Sequence, residues 1–407
     1  MLPDLDDVIL ENADDVLLVS LSARGLRAKL QSLQEWCAVN FILINMLKTV
    51  ILIFGRLLEP SPVFKLGNET LKIVNAEKYV GVNLRTDTQN IFEDHYNAKA
   101  GTARYCAHRI MAIEDKTGRL TPKELKTLYM ARVDCHLTHG CEISPDCEDV
   151  HVHQLCDVQI SFIRQILNLH GRSMLIPLYT ETGIVPLRVR RFVLALGYLQ
   201  YLLILLPTHF ARAAVNSSIK LAAAGKKSWA KDLLTAASKL PFPCPELDLA
   251  NATALSVLDY AKMIDGLMLR WIQGEVDSSE KLYLIKGRRE PRKDMAPAPQ
   301  TLRLRHYLFM VKTQKHREAL TSLLLSTHLL AVEILRYGDH AQPRENDRSK
   351  RVCRFCKIEV ETPEHALLTC DASPEVVSLR TAFFGKLFID YTGILPETGV
   401  PERDRAV

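Results

Sequence analysis

Cys353, Cys356, His365 and Cys370 fall within CRFCKIEVETPEHALLTC, with the spacing of a metal knuckle. Two thiols three positions apart can form one half of a tetrahedron, and a His and a Cys five apart on a short helix can close it at about 2.0–2.3 Å from the ion. Zinc suits this donor set. With three cysteines and one histidine every coordination position is filled, so the expected role is structural, tying down a segment too short to bury a core of its own. The competing reading is ordinary buried thiols at chance spacing.

A second candidate is Asn12-Ala13-Asp14-Asp15, followed by the apolar VLLVSLS. Adjacent carboxylates at the head of a hydrophobic strand are unfavourable to bury without a cation, and a divalent metal bound to nucleotide phosphates is one solution. In two-metal phosphoryl transfer one ion activates the attacking hydroxyl, while the other stabilises the leaving pyrophosphate. Carboxylates hold the pair about 3.5–4 Å apart. Taken alone, an Asp-Asp pair is equally the signature of a surface turn.

Elements must position these groups. Leu26, Leu30, Leu33 and Cys37 recur at helical spacing between Ala23 and Asn40, and the following segment, Phe41 to Phe54, has β-rich composition. FKLGNETLKI, Phe64 to Ile73, reads as a hairpin about Gly67-Asn68. From about residue 90 the pattern turns helical. Thr121, Pro122 and Glu124 form a capping box with proline at the first helical position, so a helix is expected from there towards Gly140. Further helices are expected at 90–115, 149–170, 186–206 (starting at Pro186) and 249–274.

The bulk properties agree with an ordinary globular chain of 407 residues, 47% hydrophobic and 24% charged. A net charge of +5 is too small over this length to signal a nucleic-acid partner by itself. Locally, Lys286 to Arg317 holds ten Lys or Arg against two acids, and Pro291, Pro297 and Pro299 oppose helix there. That stretch reads either as a solvated loop or as a phosphate-tracking arm. Arg188, Arg190 and Arg191 either touch a nucleic-acid backbone or face water. Cys135, Cys141, Cys147 and Cys156, with nearby His136, His139, His151 and His153, lack paired-knuckle spacing and read as packed thiols. The apolar run Phe192 to Leu206 is broken by Gly197 and Gln200 and is too short to span a bilayer. No export signal is seen in the acidic N-terminal sequence, so an intracellular protein with reduced thiols or metal ligands, off the membrane, is expected.

The order of blocks resembles reverse transcriptases of non-LTR (LINE-like) retrotransposons, particularly those of fungal genomes. NADDVLLVSLSARGLRAKLQSLQEWCAVNFILINMLKTVILIFG is similar to the family's Ala-Asp-Asp turn, its following helix and an Asn-x-x-Lys-Thr strand, carried here by Asn45, Lys48 and Thr49. KYVGVNL is similar to the Tyr-Leu-Gly strand beside the primer grip. LYMARVDCHLTHGCEI and FIRQILNLHGRSMLIPLYTETGIVPLRVRRFVLALGYL resemble the helical region beyond the polymerase core, and the Cys-Cys-His-Cys knuckle also belongs to the family.

The resemblance implies an α+β, mostly α fold: an incomplete antiparallel palm sheet, a helical thumb-like domain and a small zinc knuckle. The resemblance covers about residues 10–205 and 350–372, and the expected divisions are a partial palm at 1–90, a thumb-like domain at 91–215, a helical extension at 216–285, a basic connector and helix at 286–345, the knuckle at 346–375 and a tail at 376–407. Asp14 and Asp15 would be catalytic carboxylates holding Mg²⁺ or Mn²⁺, with Lys48 facing the nucleotide phosphates. Asn12, Ala13, Tyr79 and Gly81 would contact substrate or primer, although Lys48 also reads as a strand-edge lysine and Tyr79 and Gly81 as packing residues. RNA template and DNA primer are the implied partners, and nuclear residence with cytoplasmic assembly the implied location.

Two departures stand out. Asn12 replaces the family's usual Phe or Tyr, and only eleven residues precede it, so the earlier metal-binding aspartate and the fingers have no counterpart. Asp4, Asp6 and Asp7 are too close to the same strand to substitute. The expectation is half of a two-metal site, inactive alone, in a truncated element. The alternatives are a catalytically dead nucleic-acid-binding zinc-knuckle protein or mobile-element remnant, and a helical interaction protein whose knuckle docks a protein.

Overall fold

Ser22, in extended conformation, accepts the Gly25 N–H at 3.0 Å and starts helix α1, Ala23–Val39. Leu30 and Cys37 on its inner face are buried, and Leu30 packs with Ile51, Phe64, Leu66 and Leu71 into a small core. Around that helix the computed structural model, which describes residues 9–55, 60–171, 173–292, 295–338 and 344–390, places short strands. They are β1 (Ile9–Asn12), β2 (Asp15–Leu18), β3 (Val50–Ile51), β4 (Lys65–Leu66), β5 (Glu69–Thr70), β6 (Lys72–Ile73), β7 (Ala76–Tyr79) and β8 (Val82–Arg85). Asp4, Asp6 and Asp7 lie outside the described residues.

The expected hairpin at Gly67-Asn68 is present as β4–β5, with Gly67 at φ +61° and its N–H donated to Gln34 Oε1 at 2.7 Å. The strands pair two by two, β1–β2, β4–β5 and β7–β8 antiparallel and β3–β6 parallel, and among the described residues no ladder joins one pair to another. Of Phe41 to Phe54 only Val50–Ile51 is strand. Asn45 explains the loss: its side chain accepts from Leu47 and Lys48 N–H at 3.1 and 3.3 Å, and its carbonyl from the Thr49 hydroxyl at 2.9 Å. This local hydrogen bonding folds the Asn-x-x-Lys-Thr segment into a turn and competes with strand pairing.

Helices follow: α2 (Glu93–Thr117), α3 (Pro122–Arg132), α4 (Asp134–Thr138), α5 (Asp149–Leu167), α6 (Leu175–Thr182), α7 (Leu187–Ile204), α8 (Phe210–Ala223), α9 (Trp229–Ser238) and α10 (Ala254–Ser278). The capping box is complete, with Glu124 N–H on Thr121 Oγ1 and Thr121 N–H on Glu124 Oε2. Helix α3 stops short of Gly140, however, because the chain breaks at Val133 before α4. Pro186 precedes α7 as expected, and the run beginning at Phe192 buries Phe192, Ala195, Leu196, Leu199 and Leu202. Buried Gln159 closes this packing by accepting the Leu187 N–H at 2.9 Å and donating to Tyr129 Oη and the Val185 carbonyl. No helix among the described residues is long and apolar enough to cross a membrane.

The chain divides into two compact units, one formed by residues up to Ile163 with Thr182–Ile272, the other by Arg164–Glu181 with the residues from Gln273 onward. The second contains a 3₁₀ turn at Glu280–Ile285, the antiparallel pair β9 (Arg289–Arg292) and β10 (Met295–Pro299), α11 (Tyr307–Met310), α12 (Gln314–Leu324), α13 (Ala331–Tyr337) and α14 (Pro374–Asp390). Part of the expected C-terminal tail is thus helix, and residues 391–407 lie outside the described set. The protein is mostly helical with small two-stranded sheets, an α+β fold in which helix dominates.

Candidate metal centre

The knuckle begins on a short antiparallel bridge, Val352 opposite Val360, closed by Cys353 N–H to the Glu359 carbonyl at 2.7 Å and Glu361 N–H to the Arg351 carbonyl at 3.0 Å. Within it Lys357 N–H bonds the Cys353 carbonyl at 2.9 Å, and Lys357 adopts φ +61°, the left-handed conformation that turns the chain back. One π-helical turn, His365–Thr369, carries His365 at its start, and Cys370 follows at its C-cap. Cys370 N–H donates to the His365 carbonyl at 2.8 Å and holds both ends of that turn together.

The four donor atoms converge. Cys353 and Cys370 Sγ are 3.8 Å apart, Cys356 Sγ and His365 Nε2 are 3.3 Å apart, and all four lie within 4.8 Å of one another. Two sulfurs at about 2.3 Å from one ion in a tetrahedron stand about 3.8 Å apart, so the donor set matches a single metal ion. Cys353, His365 and Cys370 are buried. The backbone N–H groups of Glu359 and Ile358 pull the Cys356 thiol down to about 6, towards the thiolate that binds a metal. On the far side of the imidazole, His365 Nδ1 sits 2.8 Å from Glu359 Oε2. A proton shared there leaves Nε2 as the lone pair facing the sulfurs, the usual arrangement of a carboxylate that orients a metal-ligating histidine.

Sequence spacing locates the four ligands but misses the residues that hold them. Glu361 is fully buried, accepts from Arg354 Nε at 2.6 Å and also receives the Ala331 N–H at the start of α13. Arg351 donates to the carbonyls of Val332 and Glu345, at 2.9 and 3.1 Å. Arg380, from α14, donates to the Leu368 carbonyl at 2.6 Å and to that of Cys370. The available sequence signal is the density of arginines around the ligands, which reads more readily as a solvated basic surface.

No family model, curated protein or solved structure matches this chain. The remaining candidates therefore stand on their own geometry.

Asp14 lies in the two-residue turn between β1 and β2, after Ala13 at φ +56°, and Asp15 opens β2 opposite Asn12. Asn12, Ala13, Asp14 and Asp15 are all exposed. Leu18, at the other end of β2, packs on the small core around Leu30. Lys48 is exposed in the Asn45 turn, while Tyr79 ends β7 and Gly81, at φ +83°, lies in the turn to β8. These residues are thus spread over separate strand pairs and a turn. Among the described residues the knuckle is the one group of three or more Cys, His, Asp or Glu donors able to share an ion.

The basic candidates find acidic partners within the chain. Arg188 pairs with Asp149 at 2.7 Å and Arg190 with Asp134 at 2.7 Å. Arg191 is buried against Asp146 at 2.8 Å, with its Nη1 on the Leu137 carbonyl at 2.6 Å. All three arginines are held by acids of this chain. Within the basic stretch from Lys286, Arg288 pairs with the fully buried Glu181 at 2.5 Å and Arg305 with Glu290 at 3.2 Å, so part of that charge is neutralised internally. Lys293 and Asp294 lie outside the described residues. Of the middle cysteines, Cys135 is exposed and Cys141 buried, while burial pushes the thiols of Cys147 and Cys156 up to about 11.

Proposed function

We propose that this chain is the C-terminal part of an RNA-directed DNA polymerase of the non-LTR retrotransposon kind, and that it holds RNA template and DNA primer in the nucleus after assembly in the cytoplasm. The supporting observation is the adjacent aspartates at the tip of an antiparallel hairpin anchored through Leu18 on the small core around Leu30. In this reading residues 9–85 derive from a palm and the helices after them from a thumb. Zinc is the ion of the Cys353, Cys356, His365 and Cys370 centre, where it supplies a structural cross-link.

Asp14 and Asp15 offer Mg²⁺ two carboxylates, and its other ligands would come from nucleotide phosphates and water. Neither carboxylate has a third protein donor to share an ion with among the described residues. That observation favours a second reading, a nucleic-acid-binding zinc-knuckle protein without catalysis, and the proposal is accordingly for binding without extension by this chain alone.

Primer extension on the recombinant chain with Mg²⁺ or Mn²⁺, alongside Asp14→Ala, tests the catalytic part; no product is expected from either. Synthesis that Asp14→Ala abolishes would establish a working polymerase site. Gel filtration with an RNA–DNA primer–template at low salt tests the binding part, and failure to co-elute would overturn it.

A further inference from the structure

Helix α14 is apolar round most of its circumference, a pattern that suits a helix covered on more than one side. One side is accounted for. Arg380 donates to the Leu368 and Cys370 carbonyls and seats the helix on the knuckle, and Val376, Val377, Phe384 and Leu387, on the side of Arg380, are half-buried. The other side is bare. Leu379, Phe383 and Ile389 are 65%, 61% and 79% exposed, Ala382 is exposed among them, and a Cβ added at Gly385 would meet nothing within 4 Å.

Charge indicates what covers this face. Glu375, Leu379, Ala382, Lys386 and Ile389 recur at intervals of four and three residues, the spacing that lines one seam of a helix pair. The seam is acidic near its start, basic near its end and apolar between. Glu375 and Lys386 are both exposed, and the one ion pair of α14 among the described residues, Arg380 with Asp371 at 3.5 Å, belongs to the docked side.

Such a seam complements itself in one direction only. Two copies running the same way would set Glu375 against Glu375 and Lys386 against Lys386. Turned antiparallel about a two-fold axis between Arg380 and Thr381, each Glu375 faces Lys386 of the second copy. In that register Leu379 faces Ala382 and Phe383 faces Ser378, so each large side chain meets a small one and the two faces can interlock.

We propose that the exposed face of α14 is the interface between two copies of this chain, paired antiparallel through Glu375, Leu379, Ala382, Phe383 and Lys386. The pairing stands apart from any binding of nucleic acid. A single helix pair is a small contact, so the dimer is weak and concentration-dependent.

Sedimentation velocity of the full zinc-loaded chain over a range of concentrations provides the test, with wild type passing from monomer to dimer. Lys386→Glu turns both end contacts into repulsions and is expected to raise the dissociation constant about tenfold, as is Glu375→Lys. The chain carrying both reversals again sets opposite charges face to face, and is expected to return to within about threefold of wild type. Leu379→Asp, also at an exposed position, is expected to leave a monomer with wild-type circular dichroism. A double reversal that pairs no more tightly than either single one would overturn the antiparallel register and the proposal with it. A dimer indifferent to Leu379→Asp would place the contact elsewhere on the chain and overturn it too. So would a wild-type chain that stays monomeric at every concentration, and a lower unfolding midpoint in Leu379→Asp would then identify the cover as a segment of the same chain.

Discussion

The knuckle and the aspartate hairpin are both candidate metal sites carried by short, tight turns, yet they reach opposite conditions. At the knuckle four donors meet within 4.8 Å, three of them buried, with a carboxylate behind the histidine. At the hairpin two carboxylates stand in solvent. The difference is one of closure. The knuckle takes its whole ligand set from a single short segment and needs only local turns to assemble it. A hairpin apex supplies two neighbouring carboxylates and depends on distant parts of a fold for everything else.

Substitutions should widen or erase this contrast. The largest effect is expected from Cys353→Ser, which removes a buried ligand: zinc falls from about one per chain to none by metal analysis, and residues 346–375 lose amide protection in hydrogen exchange. An unaltered exchange pattern in a metal-free preparation would mean that the knuckle stands without an ion. Next is Glu361→Ala, which strips Arg354 of its acidic partner, leaving it the Leu329 carbonyl, and leaves the Ala331 N–H at the head of α13 unbonded. A loss of about 1–3 kcal/mol in denaturant unfolding of the zinc-loaded chain is expected.

Glu359→Gln keeps the fold but weakens the hold on the histidine. A competition titration with a chelating dye should show zinc affinity lower by about tenfold or more. At the hairpin, Ala13→Gly should stabilise the turn by about 1 kcal/mol, because a side chain at φ +56° is disfavoured. The smallest effect belongs to Asp14→Asn, with stability within about 0.5 kcal/mol of wild type and zinc content unchanged. A substantially larger loss there would show that the exposed carboxylate has structural partners.

What can be read from the sequence follows the range of the forces involved. The capping box at Thr121, the turn at Gly67-Asn68, the helical face of Leu30 and Cys37 and the ligand spacing all depend on neighbours along the chain, and each is found where expected. The Asn45 turn is also local, but its β-rich surroundings mask the hydrogen-bonding habit of asparagine. The arginines escape for a different reason. Arg191 meets Asp146 across 45 residues and Arg288 meets Glu181 across 107, and nothing along the chain marks which acid a cation will find. The pairing of the short strands two by two has the same origin, since strand partners are chosen through tertiary packing.

Glu361 has a consequence for how this part of the molecule comes apart. One carboxylate serves both the Arg354 side of the knuckle and the first turn of α13, so neither can loosen while the other keeps its full set of bonds. Chelation at constant temperature and heating at constant zinc should then dismantle the same cooperative block. Differential scanning calorimetry would record the melting of this region as a single endotherm whose midpoint climbs with free zinc concentration.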